Sequence, residues 1–337
     1  MRYAIWNNKG GVGKSFLTFT IASEYAAQNP EKTVYVIDMC PQANVSEMFL
    51  GGNGIGEQHL QKLLDGRAPR KTIGGYFDTR LASPHEITGN ETAFPVNIKE
   101  FNESVPENMY LIAGDPSLEV QAEAINQIAG QTLPQAAWRN VHSWLEDMTV
   151  SLQKLHPDNT VFIDCNPSFS AYTELSIVAA DKLIVPCTAD GSSARAIDNI
   201  GRLVYATQVQ EEYRNAIFSA KIQREGMRIP PIHMVILNRS TQYNKKASKA
   251  FGAMFDAIKA RVNHLFARKP AANGTMPGRT FHDIPDTHSV TIVASHLGRP
   301  VGEITPGRYE VHGENPQVND EPLERYVTAI RAAAELL

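Results

Sequence analysis

Near its start the chain has residues whose types and spacing are typical of a phosphate-binding loop: Lys9, Gly10, Gly11, Val12, Gly13, Lys14 and Ser15. An apolar run before them predicts a strand, and apolar residues at helical spacing from Leu17 onward predict a helix after them. Glycines allow the sharp turn in which successive backbone N–H groups point at a phosphate chain, and the helix dipole adds to that anion site. Lys14 would then reach the β- and γ-phosphates, and the Ser15 hydroxyl would be a ligand of Mg²⁺.

The loop departs from the general pattern at one position. That pattern has a glycine six positions before the lysine, where this chain has Asn8. We therefore predict a variant loop in which Lys9, Gly10 and Gly11 replace the ordinary start. The alternative is a glycine-rich turn before a helix that binds no ligand.

Two apolar segments each end in a carboxylate and would supply the rest of a nucleotide site. Residues 33–37 are followed by Asp38, and residues 160–163 are followed by Asp164. Continuous apolar strands of this kind are typical of a buried parallel sheet, where ligands collect at the carboxyl ends of the strands. We expect both carboxylates at that edge, with Asp164 the better candidate for holding Mg²⁺ through water. The alternative role for such a residue is a turn or a helix cap.

A basic stretch, residues 243–269, is the candidate for contact with nucleic acid. The net charge of −4 gives no general affinity for DNA, so such a role needs a local patch. Apolar residues of this stretch form one helical stripe, and basic residues lie opposite it or on its flanks. The candidates are Lys245, Lys246, Lys249, Lys259 and Arg261. An ordinary solvated helix face is the alternative interpretation.

Alternating strand and helix patterns predict an α/β fold with a doubly wound, mainly parallel sheet flanked by helices. We expect a strand at 109–113, a helix at 118–128, a longer helix from about 134 to 155, and a strand at 182–186. One domain spans 1–337 in this interpretation and ends in an amphipathic helix at about 321–337.

We predict an insertion at about 51–106, which is interrupted by glycines and prolines, and we expect no long helix in it after residue 64. The insertion would carry partner specificity or be a decorative loop.

Composition narrows the class of protein. At 337 residues and 42% hydrophobic content, the chain can bury a large core, and no apolar run approaches the ~18 residues that span a bilayer. The first strand begins at once, so we expect no signal peptide and a cytoplasmic location. Cys40, Cys165 and Cys187 show no paired metal-binding spacing, which suits a reducing compartment.

The chain resembles the ParA/MinD group of deviant Walker A ATPases, and within it the ParA branch. The resemblance is carried by residues 7–15 (deviant Walker A), 38–46 (switch I) and 161–168 (Walker B and switch II). Weaker matches are residues 236–239, 281–285 and 294–300, so the resemblance covers nearly the whole chain. An α/β nucleotide-binding fold follows from it as an expectation.

The resemblance implies a mechanism. ATP with Mg²⁺ is held between two subunits, and the signature lysine, which matches Lys9, crosses to the partner's phosphates. The implied nucleotide-binding residues are Gly10, Gly11, Val12, Gly13, Lys14, Ser15 and Phe16, with Asn238, Arg239 and Pro285 around the adenine. The implied metal site comprises Ser15, Asp38 and Asp164, and the implied catalytic residues are Lys9, Lys14, Asp38 and Cys40.

The ATP-bound homodimer of such a protein binds DNA non-specifically. It works with a centromere-binding or other adaptor protein in plasmid or chromosome partition.

Cys40 breaks the family pattern. Members of the group usually carry a second aspartate at this position, where it helps to position the attacking water. A neutral thiol is a weak acceptor and cannot replace a carboxylate in that role. We therefore expect ATP hydrolysis to be slow. The alternative function is a nucleotide-controlled binding switch that hydrolyses weakly and regulates a partner protein.

The final helix raises a further alternative, because MinD-type proteins bind membrane through a C-terminal helix. Here Glu324 and Glu335 balance Arg325 and Arg331, whereas a membrane-surface helix favours a lysine- and arginine-rich polar face. We expect this helix to pack against the sheet, and no membrane contact.

Overall fold

The computed structural model describes residues 1–66, 69–207, 209–213, 217–240, 242–243, 246–247, 249–268 and 280–337. The strands are β1 (Arg2–Ile5), β2 (Thr33–Met39), β3 (Val96–Asn97), β4 (Met109–Ile112), β5 (Asn159–Cys165), β6 (Lys182–Cys187), β7 (Ile232–Ser240), β8 (Gln242–Tyr243), β9 (Lys246–Ala247), β10 (Phe281–Pro285), β11 (Gly307–Arg308) and β12 (Gln317–Val318).

The first helices are α1 (Lys14–Gln28), α2 (Asn44–Phe49), α3 (Ile55–Leu64), α4 (Ile73–Ala82), α5 (Leu118–Ala129), α6 (Ala137–His142) and α7 (Trp144–Leu155). The later helices are α8 (Ala171–Ala179), α9 (Gly191–Leu203), α10 (Phe218–Arg224), α11 (Lys249–Arg268), α12 (His288–Leu297) and α13 (Asp320–Ala334).

A sheet of eight strands forms the centre of the described chain, in the order β10-β7-β6-β1-β5-β2-β4-β3. Only the edge pair β3–β4 is antiparallel, and every other pair is parallel. The strand order reverses around β1, whose neighbours β5 and β6 both lie later in the chain. The prediction of a doubly wound, mainly parallel sheet is confirmed, and the reversal places a crevice at the carboxyl ends of β1, β2 and β5.

The core has two hydrophobic layers, one on each face of the sheet, and alternate residues of each strand pack into them. In β2, Val34 and Val36 pack into one layer, and Tyr35 and Ile37 pack into the other. This alternation follows from the pleat of a strand, which sends successive side chains to opposite faces. Helices α1, α12 and α13 cover the first face, while α7, α8 and α9 cover the second.

Two helix predictions need correction. The long helix expected at about 134–155 is two helices, α6 and α7, which meet at Ser143. In the expected insertion, the chain forms the buried helix α4 where we predicted no long helix. Gly74 and Gly75 suggested a break, but a Cβ at Gly75 would lie 2.0 Å from the Arg70 carbonyl oxygen. These glycines therefore allow close packing of a helix that Thr72 caps through the Gly75 N–H (3.0 Å). That residues 51–106 are an insertion in one domain stays a prediction.

The last helix packs as expected. The side chains of Leu323, Tyr326 and Ile330 on α13 are buried, and Arg331 bonds to Glu24 of α1 (3.1 Å). In the described part of the chain, no helix is both long and apolar enough to cross a membrane.

Candidate functional site

The loop between β1 and α1 is fixed to the sheet by Asn7. The Asn7 amide nitrogen donates to the carbonyl oxygen of Pro186 in β6 (2.6 Å), and its oxygen accepts from the Lys9 N–H (3.0 Å). Both Gly11 (φ 74°) and Gly13 (φ 81°) have left-handed backbone conformations. Residues with a side chain rarely adopt such backbone conformations, so the turn of this loop requires glycine at these two positions.

Asn238, expected beside the adenine, contacts the loop in this structure. Its amide nitrogen donates to the Val12 carbonyl oxygen (2.9 Å), and a Cβ at Gly13 would lie 2.4 Å from that nitrogen. Arg239 is exposed and has φ 57°, and Pro285 is buried at the end of β10. Their adenine roles stay predictions.

The two lysines of the loop have different surroundings. Lys14 is buried, and its ammonium donates to the Lys9 carbonyl oxygen inside the loop (3.2 Å). Burial lowers the pKa of Lys14, while the neighbouring Asp164 carboxylate acts in the opposite direction. A buried cation of this kind is suited to an anionic ligand, because the ligand's charge offsets the cost of burial.

Lys9 is held within its own chain. Its ammonium donates to the Thr188 hydroxyl (2.8 Å) and forms an ion pair with Asp190, the residue that caps α9. Burial opposes ionisation of Asp190, but hydrogen bonds from Lys9 and Ser192 outweigh it and lower the pKa of this carboxyl. Sequence reasoning missed Asp190, because a capping aspartate at the start of a helix carries no nucleotide-binding signature.

Asp164 faces α1 across the crevice. The Thr18 hydroxyl lies 3.0 Å from Asp164 Oδ1, and the Ser15 hydroxyl lowers the pKa of the same carboxyl. The other oxygen, Oδ2, is buried and has no hydrogen-bond partner among the described residues. Thr18 carried no sequence signal, since the phosphate-loop pattern ends at Ser15.

Asp38, in contrast, has both oxygens occupied. Oδ1 accepts from the Cys40 N–H (3.0 Å), and Oδ2 accepts from the Ser46 hydroxyl (2.7 Å) and N–H (3.1 Å). The Ser46 hydroxyl oxygen in turn accepts from the Gly114 N–H (2.9 Å). Asp38 therefore ties the start of α2 to the ends of β2 and β4.

The two carboxylates lie side by side because β2 and β5 pair with Asp38 opposite Asp164. Both are fully buried, and burial raises the pKa of each well above the usual range of an aspartate. Repulsion from Asp164 raises the pKa of Asp38 further. Two buried carboxylates that resist ionisation are suited to a nearby cation.

A divalent cation fits this arrangement. Asp164 Oδ2 is a buried carboxylate oxygen without a partner among the described residues, and the Ser15 hydroxyl interacts with the same carboxyl. Within the described ranges, no cluster of three or more histidine, cysteine or acidic side chains could hold a metal alone. Mg²⁺ suits such a partial site, because it usually takes one or two carboxylates together with water and phosphate oxygens.

Cys40 lies among these charges. Burial, followed by the charges of Asp38 and Asp164, raises the pKa of its thiol to about 12, so the thiol is neutral. The thiol donates to Gln42 Oε1 (3.1 Å), and the Asn166 amide nitrogen donates to the sulfur (3.8 Å). Gln42 itself is exposed.

Two of the predicted DNA-contacting residues have described side chains, Lys259 and Arg261. Lys245 lies outside the described residues, and only the backbone is described for Lys246 and Lys249. On α11, Lys259 stands 4.5 Å from the centre of the Phe255 ring, and Arg261 bonds to Asp198 of α9 (3.1 Å). Their role in DNA binding stays a prediction.

Comparison with known proteins identifies the family of the chain and proteins of similar fold. Residues 2–218 match a family described as an AAA domain. Among curated proteins, none matches the chain. The fold is similar to that of apo McdA from Cyanothece, with a TM-score of 0.61 and 17% identity over 98% of both chains.

Two further structures have the same fold. A plasmid partition protein of Borrelia burgdorferi B31 bound to AMPPNP gives a TM-score of 0.56 and 14% identity, over 99% of this chain and 97% of that one. The septum site-determining protein MinD of Pyrococcus horikoshii OT3, bound to Mg-ADP, gives a TM-score of 0.52 and 13% identity, over 99% of this chain and 94% of that one.

Proposed function

Because the chain belongs to the AAA-domain family that its residues 2–218 match, and within it to the ParA/MinD group of deviant Walker A ATPases, we propose that it binds and hydrolyses Mg-ATP and dimerises with it. The ATP dimer binds DNA non-specifically and acts, with an adaptor protein, in partition or positioning of plasmid or chromosomal DNA.

One observation carries the ATPase part of the proposal. The phosphate loop, Lys14 and the free oxygen of Asp164 meet at the carboxyl edge of the sheet, where the strand order reverses. Backbone N–H groups of the loop and the Lys14 ammonium bind the phosphates, and the N-terminus of α1 adds its dipole. Ser15 and Asp164 would hold Mg²⁺, which would supply positive charge to neutralise the phosphates. Asp38 contributes by holding α2 in place.

Dimerisation follows from Lys9. In the single chain, the Lys9 ammonium is satisfied by Thr188 and Asp190. When Lys9 contacts the γ-phosphate bound to the other subunit, it exchanges its ion pair with Asp190 for an ionic contact with that phosphate. The exchange is therefore favourable only when that phosphate is present. Dimerisation therefore depends on which nucleotide is bound, and with ADP the Lys9 ammonium stays paired with Asp190.

Sedimentation velocity tests this part of the proposal. We expect a dimer with Mg-ATP and a monomer with Mg-ADP. Lys9→Ala should retain ATP binding and lose the ATP-dependent dimer, because it removes the contact across the interface. Lys14→Ala should weaken ATP binding itself, since it removes a buried cation from the phosphate site. One species for the unaltered protein with either nucleotide would contradict the proposal.

A second candidate function is supported by Cys40. A neutral thiol at this position favours a slow enzyme, in which the long-lived ATP state regulates a partner protein. The single-turnover rate of ATP hydrolysis and the affinity for unrelated DNA sequences separate the two functions. Measurable DNA binding by the ATP dimer favours partition, and its absence together with little hydrolysis favours the switch.

A further inference from the structure

Gln42 is held by its neighbours. The Cys40 thiol donates to Gln42 Oε1 (3.1 Å), and the Cys40 sulfur accepts from the Asn166 amide nitrogen (3.8 Å). The oxygen of Asn166 accepts from the Ser168 N–H (2.9 Å) and hydroxyl (2.8 Å), which fixes the direction of the Asn166 amide. This chain of hydrogen bonds leads from a buried turn to an exposed glutamine.

The direction of the thiol's hydrogen bond determines how the Gln42 amide is turned. A thiol has one hydrogen, and only the amide oxygen of glutamine can accept it. The amide NH₂ of Gln42 therefore points away from Cys40. The oxygen keeps a second lone pair, so Gln42 can accept one more hydrogen bond and donate two.

Cys40 also places Gln42 close to the phosphate site. The Cys40 N–H donates to Asp38 Oδ1 (3.0 Å), and Asp38 lies opposite Asp164 in the paired strands β2 and β5. Asp164 is the carboxylate that we assign to the cation. The Gln42 amide is one hydrogen bond from Cys40 and is exposed, so it is the outer end of a chain of hydrogen bonds that begins beside these residues.

We propose that Gln42 orients the attacking water, and that Cys40 is the positioning residue that holds Gln42. The inference rests on the proposed ATPase function and adds to it the group that replaces the missing carboxylate. Glutamine performs this task in other phosphate-loop nucleotidases. It needs no change of protonation, because its oxygen accepts from the water while its NH₂ group donates to a phosphate oxygen.

The reaction balances without a further reactant. The water oxygen forms a bond to the γ-phosphorus, and the bond from that phosphorus to the β,γ-bridging oxygen breaks, leaving both electrons on ADP. Both hydrogens of the water stay with the released phosphate as dihydrogen phosphate. Gln42 and Cys40 are unchanged at the end.

Single-turnover hydrolysis of Mg-ATP, measured beside ATP affinity, tests the inference. Gln42→Ala should lower the hydrolysis rate on the order of 10²-fold, since it removes a positioning contact to the water, and leave ATP affinity unchanged. Cys40→Ala should also lower the hydrolysis rate, because the Gln42 amide then loses the hydrogen bond that holds it. Cys40→Ser keeps a donor at that position and should retain most of the rate. Gln58→Ala, at an exposed glutamine of α3, is the matched control and should have no effect.

The outcomes separate the inference from the proposed function. If the unaltered protein binds ATP and releases no phosphate, the ATPase function fails. If it hydrolyses ATP and Gln42→Ala hydrolyses at the same rate, the inference on Gln42 is wrong. An equal loss of rate and of ATP affinity in Gln42→Ala would also overturn it. A rate for Cys40→Ser as low as that for Cys40→Ala would overturn the role of Cys40.

Discussion

Thr18 determines which oxygen of Asp164 is available to a cation. Its hydroxyl lies 3.0 Å from both Asp164 Oδ1 and the Lys14 carbonyl oxygen. The Lys14 carbonyl oxygen can also accept a backbone N–H of the helix, whereas the Asp164 carboxylate is charged. The single hydrogen of the Thr18 hydroxyl is therefore more stabilising when it is donated to the carboxylate. The hydrogen bond holds Oδ1 and leaves Oδ2 as the oxygen without a partner among the described residues.

We predict that Thr18→Val weakens the Mg²⁺-dependent part of ATP binding by about 10-fold, the usual size for a lost hydrogen bond to a metal ligand. Affinity for ATP in EDTA should not change, because the Thr18 hydroxyl lies against the Lys14 carbonyl oxygen and Asp164, and against none of the N–H groups or the ammonium that bind phosphate. Titration calorimetry with and without Mg²⁺ measures both quantities.

Two variants of α1 control this prediction. Thr18→Ser keeps the hydroxyl and should behave as the unaltered protein does. Thr20→Val removes a buried hydroxyl that bonds to the Phe16 carbonyl oxygen (3.0 Å), away from the crevice, and should have no effect on Mg²⁺ dependence. An unchanged Mg²⁺ dependence in Thr18→Val would assign Thr18 to helix packing alone.

The site could be predicted from sequence only where its residues belong to a contiguous motif. The loop and the strand-end aspartates were found that way. Thr18 and Asp190 were not, since each contributes through a partner distant in sequence or through an unremarkable helix position. Asp190, for example, meets Lys9 only because β6 lies beside β1 in the sheet.

At the scale of elements, hydrophobic periodicity predicted α1, β2, β5 and α5 within a few residues. Periodicity failed at α4. The glycine pair there is typical of a turn, but the helix needs both glycines because Arg70 and Asp115 approach them closely. It also joined α6 to α7, because the break at Ser143 leaves the apolar pattern intact. Such contacts depend on the tertiary structure, which periodicity does not contain.

Helix α11 is the element on which DNA binding can be tested. The guanidinium of Arg261 already pairs with Asp198 of α9, so a phosphate would have to compete with that carboxylate. The Lys259 side chain is 39% exposed and its ammonium is 3.8 Å from Asp256, a weak surface pair. Lys259 is thus the described candidate for a phosphate contact.

We predict that Lys259→Glu weakens DNA binding by the ATP dimer equally for unrelated sequences. The slope of log affinity against log salt should flatten by about 0.9 for the lost phosphate contact. Fluorescence anisotropy at several salt concentrations measures both. Lys154→Glu, an equal charge reversal on an exposed position of α7, should leave the slope unchanged. Equal effects of the two variants would show that net charge, and not α11, determines the affinity.

For the whole molecule, the paired strands β2 and β5 bury two carboxylates beside each other, which costs stability. The pKa of Asp38 is raised to about 7 and that of Asp164 to about 6, burial being the largest cause in both. Lys14 is the cation that faces Asp164, and the buried thiols of Cys40 and Cys165 are the other titratable groups nearby. Without nucleotide or metal, folding therefore favours protonated carboxyls.

The sign of the pH dependence follows. At about pH 4 the unfolded chain starts to release these protons, whereas the folded chain keeps them until about pH 7. The folded state binds more protons in this window, so the free energy of unfolding falls as pH rises through it. The contribution of the pair is fully present below about pH 4 and lost above about pH 7.

We predict that Asp164→Asn reduces this loss of stability. The variant removes one buried carboxylate and its repulsion on Asp38, so the difference in unfolding free energy between pH 5 and pH 7.5 should shrink by on the order of 1–3 kcal/mol. Urea unfolding followed by circular dichroism, in EDTA and without nucleotide, measures it. Asp158→Asn, at an exposed carboxylate, should leave the profile unchanged. Parallel profiles for Asp164→Asn and the unaltered protein would mean that both carboxylates ionise freely in the folded state, and that the crevice is more hydrated than its burial indicates.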